Sequence, residues 1–282
     1  MPAHNPILRS PRRRSVLPGF GMSAAITSLM ITALVIVPLA VLALRAASLG
    51  PTEFLAAAWT PRARAAYAVS LGASLTAAII SSVSGLLVAW VLVRIDFPGR
   101  RLLDALVDVP LALPTAVAGL VYSTLYVERG WLGRYLVPLG IHGAYSWLGI
   151  VLVLVFVSLP FAIRVVQPVL ESLDRDSEEA ARMLGASRVQ TFLQVIFPAI
   201  FPAVLTGFAL ALARALGEYG SVVFISGNMP FKTEIAPVLI VSRLEEFAYA
   251  EATAIAVVLL GMSVSLLVIV NWLQQRVARN SQ

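Results

Sequence analysis

Six stretches of the sequence, Phe20–Leu44, Ala66–Val93, Asp104–Tyr126, Trp147–Val169, Ala203–Phe224 and Ala252–Leu273, are each apolar for as long as a bilayer is thick. A helix rises about 1.5 Å per residue, so about 20 apolar residues cross the roughly 30 Å of hydrocarbon. No single water-soluble core can hide six such runs. The composition agrees: 59% of the 282 residues are hydrophobic and 13% charged, against about 25% charged in soluble domains. A soluble enzyme and a disordered chain are both excluded by these numbers. Lipid offers no partners to open backbone groups, so the spans must be helices or a closed barrel. The alternation of barrel strands is absent. The expected fold is an all-α integral membrane protein with six transmembrane helices in one domain, residues 20–274, between a basic segment 1–19 and a tail 275–282.

Charge sets the orientation. Of 21 basic residues, 13 fall on the side of the N-terminus, the 94–103 loop, the 164–188 region and the C-terminus. Seven fall on the other side, and Arg214 lies within a span. Cytoplasmic loops collect Lys and Arg, so both termini and the charged segment 170–199 are expected in the cytoplasm. The net charge of +6 is thereby explained without nucleic acid. The four arginines Arg9, Arg12, Arg13 and Arg14 precede an apolar run too long for a signal peptide, which makes that run a retained helix. The sequence has no cysteine and only two histidines, His4 and His142, so no metal site or thiol chemistry is expected.

Segment 170–199 predicts two short helices and a turn. Asp176 and Glu179 have capping-box spacing, Gly185 suits a left-handed stop, Ser187 and Gln190 form a second capping box, and Pro198 closes the second helix. Ala180, Ala181 and Leu184 leave a small apolar patch beside Glu179, suited to a groove in another protein. A DNA-binding helix-turn-helix fits poorly, because five acids crowd the loop. The string Glu179-Ala180-Ala181, then Gly185, then Val195-Ile196-Phe197-Pro198 resembles the EAA motif of permease subunits in bacterial ABC importers, with Val195 and Phe197 as conservative departures. The resemblance implies a MetI-like bundle in the bacterial inner membrane, and a coupling helix that docks on a cytosolic ATPase.

Within the fifth run, Arg214 and Glu218 stand four apart, on one helix face. Ionised groups at this depth face a pathway or a partner. They either line an anion pathway or neutralise each other, and the residues leave both readings open. Gly217 and Gly220 around them permit close approach or local unwinding. Pro110 and Pro114 break the third run near its cytoplasmic end, as a kink or as part of a pathway. The strings Arg214-Ala-Leu-Gly217-Glu218-Tyr219-Gly220 and Asp108–Gly119 resemble T-type sulfate/thiosulfate permease subunits. By that resemblance Arg214, Gly217, Glu218, Tyr219, Gly220, Pro110 and Pro114 belong to the pathway or its gate.

The tryptophans Trp59, Trp90, Trp131, Trp147 and Trp272 read as interfacial anchors. No P-loop occurs, so this chain is expected not to be an enzyme and to carry no cofactor, with ATP bound by a partner subunit. The resemblance implies a W-type second permease, two ATPase copies and an external sulfate- or thiosulfate-binding protein, all assembled in membrane lipid. A molybdate or tungstate permease is the alternative by substrate. An ion-coupled secondary transporter would need inverted repeats and more buried carboxylates, and an intramembrane enzyme would need paired catalytic groups in the spans.

Overall fold

The computed structural model describes residues 20–280, with the backbone alone for Arg175 and residues 277–280. The basic segment 1–19 and its arginines lie outside the described residues. All regular structure among the described residues is helical. Helix α1 covers Phe20–Ser48, α2 Pro51–Ala58 and α3 Pro61–Arg94. Helix α4 (Arg100–Ala112) and α5 (Thr115–Tyr126) follow, then α6 (Trp147–Ser172) and the short α7 (Arg175–Met183). Helix α8 runs Arg188–Leu216, α9 Ala236–Glu245 and α10 Tyr249–Asn280. Five of these are long and apolar enough to cross a membrane, and the bent pair α4–α5 makes a sixth.

Helices α3, α6 and α8 form the centre. Lipid tails are as apolar as leucine, so these helices gain by close van der Waals fit and not by leaving water. Small residues supply the fit. On α3, Ala66, Ser70, Ala73, Ser74, Ala77, Ser81, Gly85 and Ala89 are buried along one face. A Cβ on Gly85 would stand 2.8 Å from the Ala162 Cβ, and one on Gly207 would stand 3.1 Å from the Ala162 Cα. All three central helices therefore meet at Ala162. Near the same level Ser81 and Ser158 share a hydrogen bond of 2.8 Å between α3 and α6. Leu92, Ile163, Leu170, Ile196 and Ile200 fill one end of the core, and Ile150, Leu154, Val222 and Ile225 the other.

Three boundaries differ from the expectation. The third run, Asp104–Tyr126, is not one straight helix: α4 and α5 meet at 107°. Proline forces its predecessor out of the helical region, and Leu113 is extended at φ −80°, ψ 129°. Pro114 makes this break. Pro110 sits in the last turn of α4, just after an interruption at Asp108. The fifth run ends at Leu216, short of Phe224, and begins at Arg188. Pro198 does not close a second cytoplasmic helix, because α8 passes through it. A wide π-turn, Phe192–Ile196, immediately precedes that proline. Helix α1 does the same, with a π-turn at Thr32–Ile36 ahead of Pro38. Proline lacks an N–H and crowds the carbonyl four residues back, and one extra residue in the turn relieves both problems.

Candidate functional site

The Asp108–Gly119 and Arg214–Gly220 strings, about a hundred residues apart in sequence, meet in space. Helix α8 stops at Leu216 and the chain turns through Gly217–Ser221 into a single helical turn, Val222–Ile225. That turn lies on the start of α5, directly after the Pro114 break. A Cβ on Gly220 would fall 2.4 Å from Thr115 Oγ1, and one on Gly119 2.1 Å from the Ser221 carbonyl oxygen. Gly220 is thus tightly approached by the Thr115 side chain, and Gly119 by backbone. Gly217 is not: its φ is −88° and a Cβ there would meet only ordinary contacts. Of the two alternatives, close approach describes Gly220, with Gly119 opposite, whereas Gly217 stands where helix α8 ends.

Arg214 and Glu218 form an ion pair of 2.5 Å. Glu218 lies just beyond the helix end, in the turn, and is buried at 2% exposure. Its other oxygen accepts from the Ser221 backbone N–H and from Ser221 Oγ, both at 2.9 Å. Such a carboxylate is fully satisfied within the fold. Arg214 has no comparable enclosure, with 31% of its side chain exposed. Tyr219 is at the margin of exposure on the same turn. The buried anion anchors the turn, and the half-exposed cation is its accessible face.

A second charged cluster lies before the Pro114 break. Arg164 on α6 donates two bonds to Asp108, of 2.9 and 2.7 Å, and one of 2.6 Å to Asp104. It also donates to Gln167 Oε1 at 2.7 Å and to the Asp104 carbonyl at 2.8 Å. One guanidinium so holds all of α4 against α6, as its planar fork of donors allows. The sequence alone singles out neither Asp104 nor Asp108 for this pairing. The signal available was an arginine inside an apolar run with two carboxylates i, i+4 on another helix.

Helix α7 carries the EAA string. Asp174, not Asp176, caps it: its side chain accepts from the Asp176 N–H at 3.0 Å. Gly185 has φ +85°. Its N–H donates to the Arg182 carbonyl and the Ala186 N–H to the Ala181 carbonyl, the paired bonds of a Schellman stop. The Ser187–Gln190 capping box is complete and starts α8. Glu179, Ala180, Met183 and Leu184 are exposed. Glu178, the neighbour before the motif, is buried and pairs with Arg94 at 2.6 Å. Sequence reasoning assigned it nothing.

At the opposite end of α3, Arg62 makes a two-pronged pair with Glu234, 2.8 and 2.7 Å, with Glu234 buried. Four of the tryptophans, Trp59, Trp131, Trp147 and Trp272, are exposed. Trp90 instead packs edge-on against Phe192 inside the bundle. Among the described residues no group of acids and histidines is arranged to hold a metal ion.

Comparison with known proteins places this architecture. The chain is 52% identical over 250 residues, 89% of its length and 87% of the relative's, to the "Sulfate transport system permease protein CysT" of Synechocystis sp.. It is 45% identical over 266 residues, 94% and 96% of the two chains, to the proteins of the same name from Salmonella typhimurium and Escherichia coli. Among solved structures, the fold matches a bacterial ABC transporter involved in the import of the acidic polysaccharide alginate, with TM-score 0.73 at 16% identity, covering 92% of this chain and 96% of that one. Residues 81–281 match the family model described as "Binding-protein-dependent transport system inner membrane component", and the chain, a multi-pass helical membrane protein, belongs to that family.

Proposed function

We propose that this chain is a permease subunit of an ATP-driven importer of sulfate or thiosulfate. The observation that carries the reading is 45–52% identity, over about nine-tenths of the chain, to relatives named as sulfate permeases. The geometry gives it a mechanism. A dianion needs positive charge in a region of low dielectric, and Arg214 stands partly open in the last turn of α8, just before the Gly217–Ser221 turn that meets the start of α5 at two glycine contacts. A shift of α8 would carry the start of α5 with it through these contacts and so move Arg214 and the Pro114 break together, which is what a gate requires. Helix α7 presents Glu179, Ala180 and the exposed Met183 and Leu184 as the docking face for a separate ATPase, with Ala181 and Gly185 shaping it. Both termini and α7 then lie in the cytoplasm, in accord with the distribution of basic residues. The remaining partners are a second permease, two ATPase copies and an external binding protein, and ATP stays with the ATPase.

The test is reconstitution of the chain with those partners in vesicles. Accumulation of radiolabelled sulfate that requires both ATP and the binding protein supports the reading. Uptake of molybdate without sulfate moves the substrate to the alternative family. Uptake driven by an ion gradient without ATP removes the reading.

A further inference from the structure

Helix α3 is tied by a buried acid at each of its ends. It has 34 residues, about 50 Å at the usual rise. At one end Arg62 holds Glu234, two residues before α9. At the other Arg94, the last residue of the helix, holds Glu178 on α7. This second pair is unlike the charges around it. The other described side chains of α7 are exposed or half-exposed, yet those of Arg94 and Glu178 are only 11% and 10% exposed. Arg182, one turn on, stands farther off at 3.6 Å. The Arg94 guanidinium also lies over Trp90, 5.6 Å from the ring centroid. Among the described residues the buried Arg94 Nε and Nη2 and Glu178 Oε1 make no aligned hydrogen bond, so proximity of charge joins the pair, and Glu178 is the one acid in ion-pair reach of Arg94.

Resting on the importer reading above, we infer that Glu178 and Arg94 are positioning residues. They fasten the coupling helix to α3, and they give ATPase motion a second route into the membrane besides the direct continuation into α8. Glu179 points outward to the partner, while Glu178 points inward to the bundle, so adjacent acids divide docking from transmission. A buried pair resists separation because either charge left alone is uncompensated. A displacement of α7 is therefore passed to α3 and along it towards Arg62 and Glu234. No comparable charge links α7 to any other element among the described ion pairs. The pair remains closed throughout the transport cycle.

The experiment uses the full reconstituted complex and reads sulfate imported per ATP hydrolysed. Glu178→Gln and Arg94→Gln each lower that ratio by about tenfold or more, while the ATPase co-purifies at wild-type level. The chain has no native cysteine, so Arg94→Cys/Glu178→Cys bridged by a bis-thiol-reactive linker tests the closed pair directly: the bridged complex imports with the wild-type ratio. A wild-type ratio in both single variants overturns the inference. So does a bridged complex that hydrolyses ATP without import, and so does loss of ATPase co-purification with Glu178→Gln, which would make Glu178 a docking contact. Failure of the wild-type complex to import sulfate at all counts against the importer reading instead.

Discussion

Gly119 and Ser221 meet with no room for a methyl group: a Cβ on Gly119 would stand 2.1 Å from the Ser221 carbonyl oxygen. The neighbour is backbone, so it cannot rotate aside. Gly119→Ala should destabilise the protein by about 1–3 kcal/mol, as overpacking does, and depress uptake by separating α5 from the Gly217–Ser221 turn. Gly72→Ala, on a helix surface with open space around it, is the control and should be neutral or slightly stabilising. Melting temperature in detergent, measured beside uptake in vesicles, checks both.

Arg214 and Glu218 call for a paired substitution. Leucine at 218 would strip two hydrogen bonds from Ser221 as well as the charge, so Glu218→Gln, which keeps an acceptor for Ser221, is the cleaner change. Arg214→Met/Glu218→Gln should assemble normally and lose at least about tenfold in sulfate uptake, if the cation serves the substrate. Near-normal uptake by this variant would reduce the pair to mutual neutralisation.

Gly185→Val should act locally. Its φ of +85° costs a non-glycine residue about 1–2 kcal/mol, and nothing lies within 4 Å of the added Cβ. The membrane bundle should therefore insert and melt as before while the end of α7 frays and ATPase co-purification falls. Glu179→Lys, at an exposed position, should weaken co-purification by charge reversal without any change in melting.

Arg164 offers a graded series. Arg164→Gln leaves Asp104 and Asp108 without their shared cation and should release α4 from α6, with faster proteolysis between residues 94 and 114. Asp104→Asn retains an acceptor and the Arg164–Asp108 fork, so its effect should be several-fold smaller. Equal susceptibility of the two variants would show that α4 is held by apolar packing instead.

The legible parts of this fold were local. Apolar run length located the spans, and the Ser187–Gln190 box and the Gly185 stop need only residues within a few positions. The third span is legible in composition but not in shape. It reads as one continuous helix, whereas the chain bends by 107° between Ala112 and Thr115. Pro198 misleads in the other direction, because a π-turn spends one extra residue and leaves no compositional trace. What could not be read at all was long-range pairing. Arg94 meets Glu178, Arg62 meets Glu234, and Gly119 meets Ser221 only after three helices have packed through small residues at Ala162. Strings at 108–119 and 214–220 could be singled out separately, but their contact is a product of the whole bundle.

The wide turn ahead of Pro198 has a consequence for how far a small rotation travels. Helix α8 is unbroken from its capping box at Ser187 to Leu216, so Arg188 and Arg214 ride on one body, about 39 Å apart along its axis. A proline that broke the helix would have inserted a universal joint there, and twist applied at one end would dissipate before reaching the other. Because the helix runs on through the proline, a few degrees of tilt at Ser187 would become a sideways sweep of several ångströms at Arg214.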